Sequence, residues 1–332
     1  MQDVLKQTIH KIVMDTSTVP EADQFAYFAA HAPGSRPEQC VPGPFHTCGD
    51  MWTLGGLQAA VVKVDPFVAI RDQALINLVD ADYLQLVQIL EGSMTFEADG
   101  KATVVPAPGA YIRDYGQPSI VTSTRVRLLI LYFSREFLEE VMGPIDAHGP
   151  LAPVPELDLL RHVAIEMMRF FPVATASSAP LYAAILRDLA ATALLRAGAN
   201  RRTEQGSLLA EAKAYVATQP PGTLTVTGAT AALGISRSAL YRLFERDGGL
   251  LAYDRMRRLR AAHRAMSNPL NTTTLVELAA RYGFRDQAAL LCSFRKAFGY
   301  SPSDLRQRHV SIPPSMVGTG AEEVWHALDR IG

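Results

Sequence analysis

The side chains whose type and spacing could do chemistry are mostly arginines, and they crowd into one stretch of the chain. The run LAYDRMRRLRAAHRAM carries Arg255, Arg257, Arg258, Arg260 and Arg264 in a single helical pattern. From Ser207 to His309 there are 15 Lys and Arg against 7 Asp and Glu, a net of +8; the remainder holds 17 against 26, a net of −9. A basic segment joined to an acidic one is the charge pattern of a nucleic-acid-binding domain fused to a partner domain, because cations neutralise phosphates. The competing reading of the charge is a solvated basic helix face. Other chemistry finds little to work with. A metal-using β-barrel enzyme needs closely spaced histidines and a carboxylate on neighbouring strands, yet His10, His31, His46 and His148 lie outside the strand-like runs. Cys40 and Cys48, with His46 between them, match no common metal or redox spacing, and together with Cys292 they are too few for a disulfide framework. No metal site, cofactor or catalytic cluster is expected, and the chain does not read as an enzyme.

The arginine-rich run sits between two similar units. The first reads TVTGATAALG, IS, RSALYRLFERDGG, and the second TLVELAARYG, FRDQ, AALLCSFRKAFG. Each has a glycine, Gly234 or Gly283, at a tight turn that needs a positive φ. Helix starts are explicit: Thr274 with Glu277 makes a capping box, Ser236 can cap RSALYRLF, and Ser301-Pro302 puts a cap residue before a helix-starting proline. Two helix-turn-helix units on a stiff connecting helix could reach successive major-groove segments, which lie roughly 34 Å apart on one face of DNA.

The string YGFRDQAALLCSFRKAFGYSPSDLRQRH resembles the signature of the AraC/XylS family of transcription regulators, with Gly283-Phe284, Phe294, Phe298-Gly299, Ser301-Pro302 and Arg306 at the family's spacing. LGISRSALYRLFERDGG and the basic run after it resemble the family's first unit, so the likeness covers about a hundred residues. It implies that Arg237, Ser238, Tyr241 and Arg242 face the DNA groove, with Leu240, Leu243 and Phe244 on the buried side. Arg242 is the candidate for a base contact, since arginine can donate two hydrogen bonds to a guanine edge; a phosphate clamp is its alternative role. In the second unit the resemblance implies contacts from Arg285, Asp286, Gln287, Ala288, Arg295 and Lys296. There Leu291 and Cys292 stand where the family has polar residues, so this unit is expected to supply affinity and register more than base readout. Ala229-Thr230 replaces the family's Leu-Ala, which predicts a lightly packed supporting helix.

These sites need elements to hold them. At 332 residues, 48% hydrophobic and 20% charged, the chain is expected to be globular with more than one domain. Residues 1 to about 50 are Pro- and Gly-rich and read as a short helix followed by irregular chain. Strand-like runs occupy about 57–133, with Asp99-Gly100 as a hairpin turn between MTFEA and KATVV. Helical periodicity then covers about 134–198, and its apolar stripes (Leu157, Leu160, Ala164, Met167, Met168; Leu181, Ile185, Leu189, Leu194, Leu195) either pack on the strands or join two protomers. The front part resembles, more weakly, the cupin-like sensor domains of the same family. The fold class is therefore α+β: a cupin-like β-barrel or sandwich with a helical pair in domain 1–200, a linker at 199–207, an all-α double helix-turn-helix domain at 208–310, and a tail at 311–332. Trp52, Gln85, Gln88 and Tyr111 are candidates for an effector cavity; strand parity leaves open which face of LQLVQI points inward. The expected partners are double-stranded DNA, RNA polymerase, a small-molecule effector and a second copy of the chain. A ligand-independent regulator, whose first domain only dimerises or recruits a protein, is the alternative. No apolar run reaches the roughly 18 residues of a membrane span, and the start lacks a signal-peptide core, so no membrane partner and a cytoplasmic location are expected.

Overall fold

The structure is a computed structural model that describes residues 8–32, 34–78, 83–143, 145, 147–199, 204–267, 273–298 and 301–302. Gly299, Arg306, linker residues 200–203, the tail 311–332 and the Arg264 side chain lie outside the described residues. The chain divides into two compact units near residue 201.

The first unit is a two-sheet sandwich with helices on one outer face. Its larger sheet has seven strands in the order β1 (His10–Asp15), β3 (Thr47–Thr53), β4 (Leu57–Val64), β11 (Val126–Ser134), β6 (Tyr83–Glu91), β9 (Gly109–Asp114) and β12 (Gly149–Pro150). The smaller sheet runs β2 (Arg36–Gln39), β5 (Phe67–Arg71), β10 (Ser119–Ser123), β7 (Ser93–Ala98), β8 (Lys101–Pro106). All the pairings are antiparallel, as expected of a barrel or sandwich built from short runs. The β7–β8 hairpin turns at Asp99 and Gly100, both at positive φ (50° and 73°), which suits a primed two-residue turn. The opening segment departs from the sequence expectation. Besides the helix α1 (Gln24–Ala30) it contributes β1, β2 and β3, and β1 pairs with β3 in unbroken register from His10↔Thr53 to Asp15↔Cys48. RPEQ and TCGDMWT lack apolar alternation because one is an exposed edge and the other is held by pairing with β4.

Strands β6 and β11 are covered on both faces, which explains their nearly continuous apolar runs. Leu84, Leu86, Leu129, Leu131 and Phe133 point to one side, into a core shared with α3 (Arg135–Met142), α4 (Pro155–Phe170) and α5 (Ala179–Arg196). Tyr83, Val87, Ile89, Leu128, Ile130 and Tyr132 point to the other side, into the space between the sheets. The larger sheet thus divides two cores, and a one-residue register slip would exchange them. α5 is long and apolar enough to span a membrane by composition alone, but it buries Ala183, Leu186, Ala190 and Leu194 against this sheet as a core helix does.

The second unit is all helix. α6 (Glu204–Thr218) begins inside the stretch read as linker, and its Ala212 and Val216 are fully buried in the first head's core. That core gathers α7 (Val226–Leu233), α8 (Arg237–Leu243) and the first turn of α9 (Leu250–Ser267). The rest of α9 belongs to a second core with α10 (Leu275–Arg281) and α11 (Gln287–Phe298), through Leu259, Ala262 and Met266. One continuous helix of 18 residues, about 27 Å at 1.5 Å per residue, is therefore built into both heads.

Candidate nucleic-acid interface and effector cavity

In the first head, Thr225 caps α7 by accepting from the Gly228 amide, Gly234 turns the chain at φ 65°, and Ser236 caps α8 by accepting from the Ala239 amide. α7 gives the core one fully buried side chain, Ala229, with Val226 and Leu233 partly buried. α8 buries Leu240 and Leu243, followed by Phe244, and leaves Arg237, Ser238, Tyr241 and Arg242 exposed. Arg237 donates from Nη2 to Thr227 Oγ1 at 3.2 Å, which fixes its stem against α7. Arg242 makes no hydrogen bond or ion pair with a described residue, so its five donors stay available to a partner.

The second head repeats the arrangement with different chemistry. The Thr274–Glu277 capping box is complete, with Thr274 Oγ1 accepting from the Glu277 amide while Glu277 accepts from the Thr274 amide. Asp286 sits at the cap of α11, where it accepts from the Ala289 amide at 2.7 Å and pairs with Arg285 at 2.9 Å. Those contacts, the amide first, hold its carboxyl below the usual range. Arg285, Ala288, Cys292, Arg295 and Lys296 are exposed, while Gln287 and Leu291 are half-buried. An exposed ion pair therefore precedes α11, and its last turn carries two cations, Arg295 and Lys296, without an ion pair among the described residues.

The basic helix α9 turns out to be partly structural. Asp254, 3% exposed, takes Arg257 at 3.2 Å and Arg258 at 2.8 Å. Arg258 also donates from Nη1 to the Tyr282 and Gly283 carbonyls and lies over the Phe284 ring, tying α9 to the second turn. Gly283, at φ 67°, faces Pro221 so closely that an added Cβ would lie 2.4 Å from the Pro221 carbonyl carbon. The loop before α7 is thus packed onto the turn of the second head.

Between the two sheets of the first unit lies a cavity that is partly open to solvent. Met14, Met51, Val62, Phe67, Val87 and Leu128 make most of its wall apolar. One end is polar. Arg113 on β9, Gln85 on β6 and Tyr132 on β11 stand opposite one another in register and face inward. Gln85 donates to the Tyr132 hydroxyl at 3.0 Å, and Arg113 reaches Ser119 on the facing sheet. Of the sequence candidates, Gln85 and Tyr111 line this space. Trp52 and Gln88 do not. Trp52 packs edge-on against Phe171 with ring centroids 5.8 Å apart, and Gln88 donates to the Leu157 carbonyl of α4, because both lie on the helix-covered face. Arg113, Tyr115, Tyr132, Ser35 and His31 were not singled out from the sequence. Arg113 was within reach, since it shares strand parity with Tyr111.

Behind the polar end lies a second network. Asp114, on the outer face of β9, binds Arg135 at 2.6 Å and accepts from the Gly116 amide. Burial pushes its carboxyl up, but Arg135, that amide and Gln117 more than offset it and leave it below the usual range. His148 accepts the Asp114 amide at Nδ1 and contacts the Pro118 carbonyl through Nε2, and burial pushes its imidazolium down.

Residues 229–308 match the family model of a helix-turn-helix domain, and residues 35–195 that of an AraC-binding-like domain. The chain belongs to the AraC family of regulators. Like its AraC-family relatives it is a DNA-binding transcription regulator with a cupin-like front domain. It is 25% identical over 274 residues to the transcriptional activator NphR of a Rhodococcus species, covering 78% of this chain and 80% of that one. It also shares the fold of the AraC-like transcriptional activator CuxR, with a TM-score of 0.54, 23% identity and coverage of 76% of this chain and 95% of that one. Together these place both heads and the sandwich inside one AraC-type architecture.

Proposed function

We propose that this AraC-family protein is a cytoplasmic, homodimeric transcription activator that binds its operator sequence-specifically and changes that binding, or its contact with RNA polymerase, when a small molecule enters the sandwich cavity. The observation that carries the reading is the coexistence in one chain of a double helix-turn-helix unit with exposed arginines on its outer helices and a sandwich with a mostly apolar cavity ending in polar groups. Arg237, Ser238, Tyr241 and Arg242 would enter the groove first. Arg285, Gln287, Ala288, Arg295 and Lys296 would secure the second head, with Asp286 acting as a helix cap rather than a base reader. That NphR and CuxR are named as activators supports activation over repression. Dimerisation finds support in the exposed apolar residues Leu181 and Ile185 one turn apart on α5, with Leu195 further along. A ligand shifts only an equilibrium whose states it binds unequally. The test is an electrophoretic shift of the full chain on the DNA upstream of its own gene, beside a fragment spanning 202–332. Operator binding by both, with the full chain's response altered by extracts of metabolites, is the expected result. Binding by neither at low salt would overturn the reading.

A further inference from the structure

The polar end of the cavity has an unbalanced charge. Arg113 is 3% exposed, yet its nearest acceptors are neutral: Nε donates to Ser119 Oγ at 2.8 Å and Nη1 to Ser35 Oγ at 3.0 Å. Its Nη2 is buried and has no acceptor among the described residues. No described carboxylate forms an ion pair with it; the adjacent Asp114 points to the other face, where Arg135 holds it. A second buried guanidinium, Arg71, lies 4.8 Å from the far partner they share, the Tyr115 ring, over which Arg113 sits at 5.0 Å. Arg71 is spent on the Tyr115 and Gly34 carbonyls, and burial pushes its guanidinium down. Buried charge is costly unless it is paired, and a buried guanidinium beside a cavity, with one nitrogen lacking an acceptor among the described residues, is paired best by a carboxylate.

We propose that the effector is a monoanionic organic acid with an apolar body, whose carboxylate is received by the Arg113 guanidinium at the polar end of the sandwich cavity. This rests on the effector-controlled reading above. Tyr132 is the second donor. Its hydroxyl oxygen already accepts from Gln85 Nε2, so its own proton is free for an incoming oxygen, and burial keeps the phenol protonated. The apolar wall of Met14, Met51, Phe67 and Val87 takes the body of the ligand. Because the Arg71 donors go to the Tyr115 and Gly34 carbonyls, the one guanidinium nitrogen left without an acceptor among the described residues suits a single negative charge better than a phosphate dianion.

The experiment measures melting temperature and calorimetric binding of the full chain with hexanoate and 3-phenylpropanoate, their primary amides, and phenyl phosphate. The acids should raise Tm and the amides should not, because a ligand bound only by the native state stabilises it. Arg113→Met should fold with a Tm no lower than that of the unliganded wild type, having lost a buried unpaired charge, and should bind the acids at least about tenfold more weakly. If Arg113→Met fails to fold, Arg113→Lys, which keeps the charge, should still prefer acid to amide. The assignment is overturned if amides and acids act alike, if Arg113→Met responds as the wild type does, if phenyl phosphate outcompetes the acids, or if no acid shifts Tm at millimolar concentration. Acid binding that leaves the operator shift unchanged would sustain this site and refute effector control instead.

Discussion

Residue by residue, the two units depend on a few side chains whose partners are now defined. Arg242 has no hydrogen-bond or ion-pair partner among the described residues and stands exposed on the outer face of α8, so Arg242→Ala should leave stability nearly unchanged. It should cost about 1–3 kcal/mol of operator binding and relax preference at one base pair, read by competition shifts on single-base operator variants. Equal weakening on all sequences would mark a phosphate contact instead. His148 carries the pH dependence of the first unit. It serves as acceptor at Nδ1 for the Asp114 amide, which a protonated ring cannot do, and burial lowers its pKa. The stabilisation is therefore present in full above its ordinary pKa of about 6.5, and is lost as the pH falls from there through the depressed value. Denaturant midpoints of the first unit should drop across that window, and His148→Asn should flatten the drop. Arg135→Ala should cost about 3 kcal/mol, because it strands the buried Asp114 carboxylate.

At the level of elements, α9 and the two turn glycines decide how the heads act together. The first turn of α9 is packed into one head and its later turns into the other, and Arg258 bolts it to the second turn. Gly283 admits no side chain, both because its φ is positive and because the Pro221 carbonyl occupies the place of a Cβ. Gly283→Ala should therefore cost more than the roughly 1 kcal/mol of a left-handed residue alone. Its distinctive signature should be reduced affinity for a two-half-site operator with unchanged affinity for a single half-site. Equal loss on both DNAs would place the damage inside the second head. Ahead of α11, by contrast, Arg285 is paired with Asp286, which caps that helix through the Ala289 amide.

For the whole molecule, the charge separation bears on DNA binding and the exposed apolar face of α5 on the proposed self-association. Operator affinity should fall steeply with salt, because the net +8 of residues 207–309 displaces counterions from several phosphates; a flat log-log plot would contradict groove binding. On α5, Leu181 is 68% and Ile185 48% exposed. If α5 joins two copies as proposed, the double substitution Leu181→Glu, Ile185→Glu should leave a monomer in sedimentation equilibrium while the sandwich keeps its melting temperature. A chain that is monomeric before substitution would remove α5 as the interface.

What the sequence determined by itself was local. The capping box at Thr274 and Glu277, the cap at Ser236, the glycines at 234 and 283 and the Asp99-Gly100 hairpin each rest on contacts within a few residues, so their chemistry is written in adjacent letters. The helices of the second unit were legible for that reason, whereas the outward facing of its arginines followed from the resemblance to the AraC/XylS family. Features that depend on distant partners came from the fold. β1, β2 and β3 are strands because other strands pair with them, not because their own pattern alternates. The two faces of β6 are equally apolar, so nothing local distinguishes Gln85, which faces the cavity, from Gln88, which faces α4. Arg113 reads as an ordinary strand arginine until the facing sheet closes over it and leaves one guanidinium nitrogen without an acceptor among the described residues.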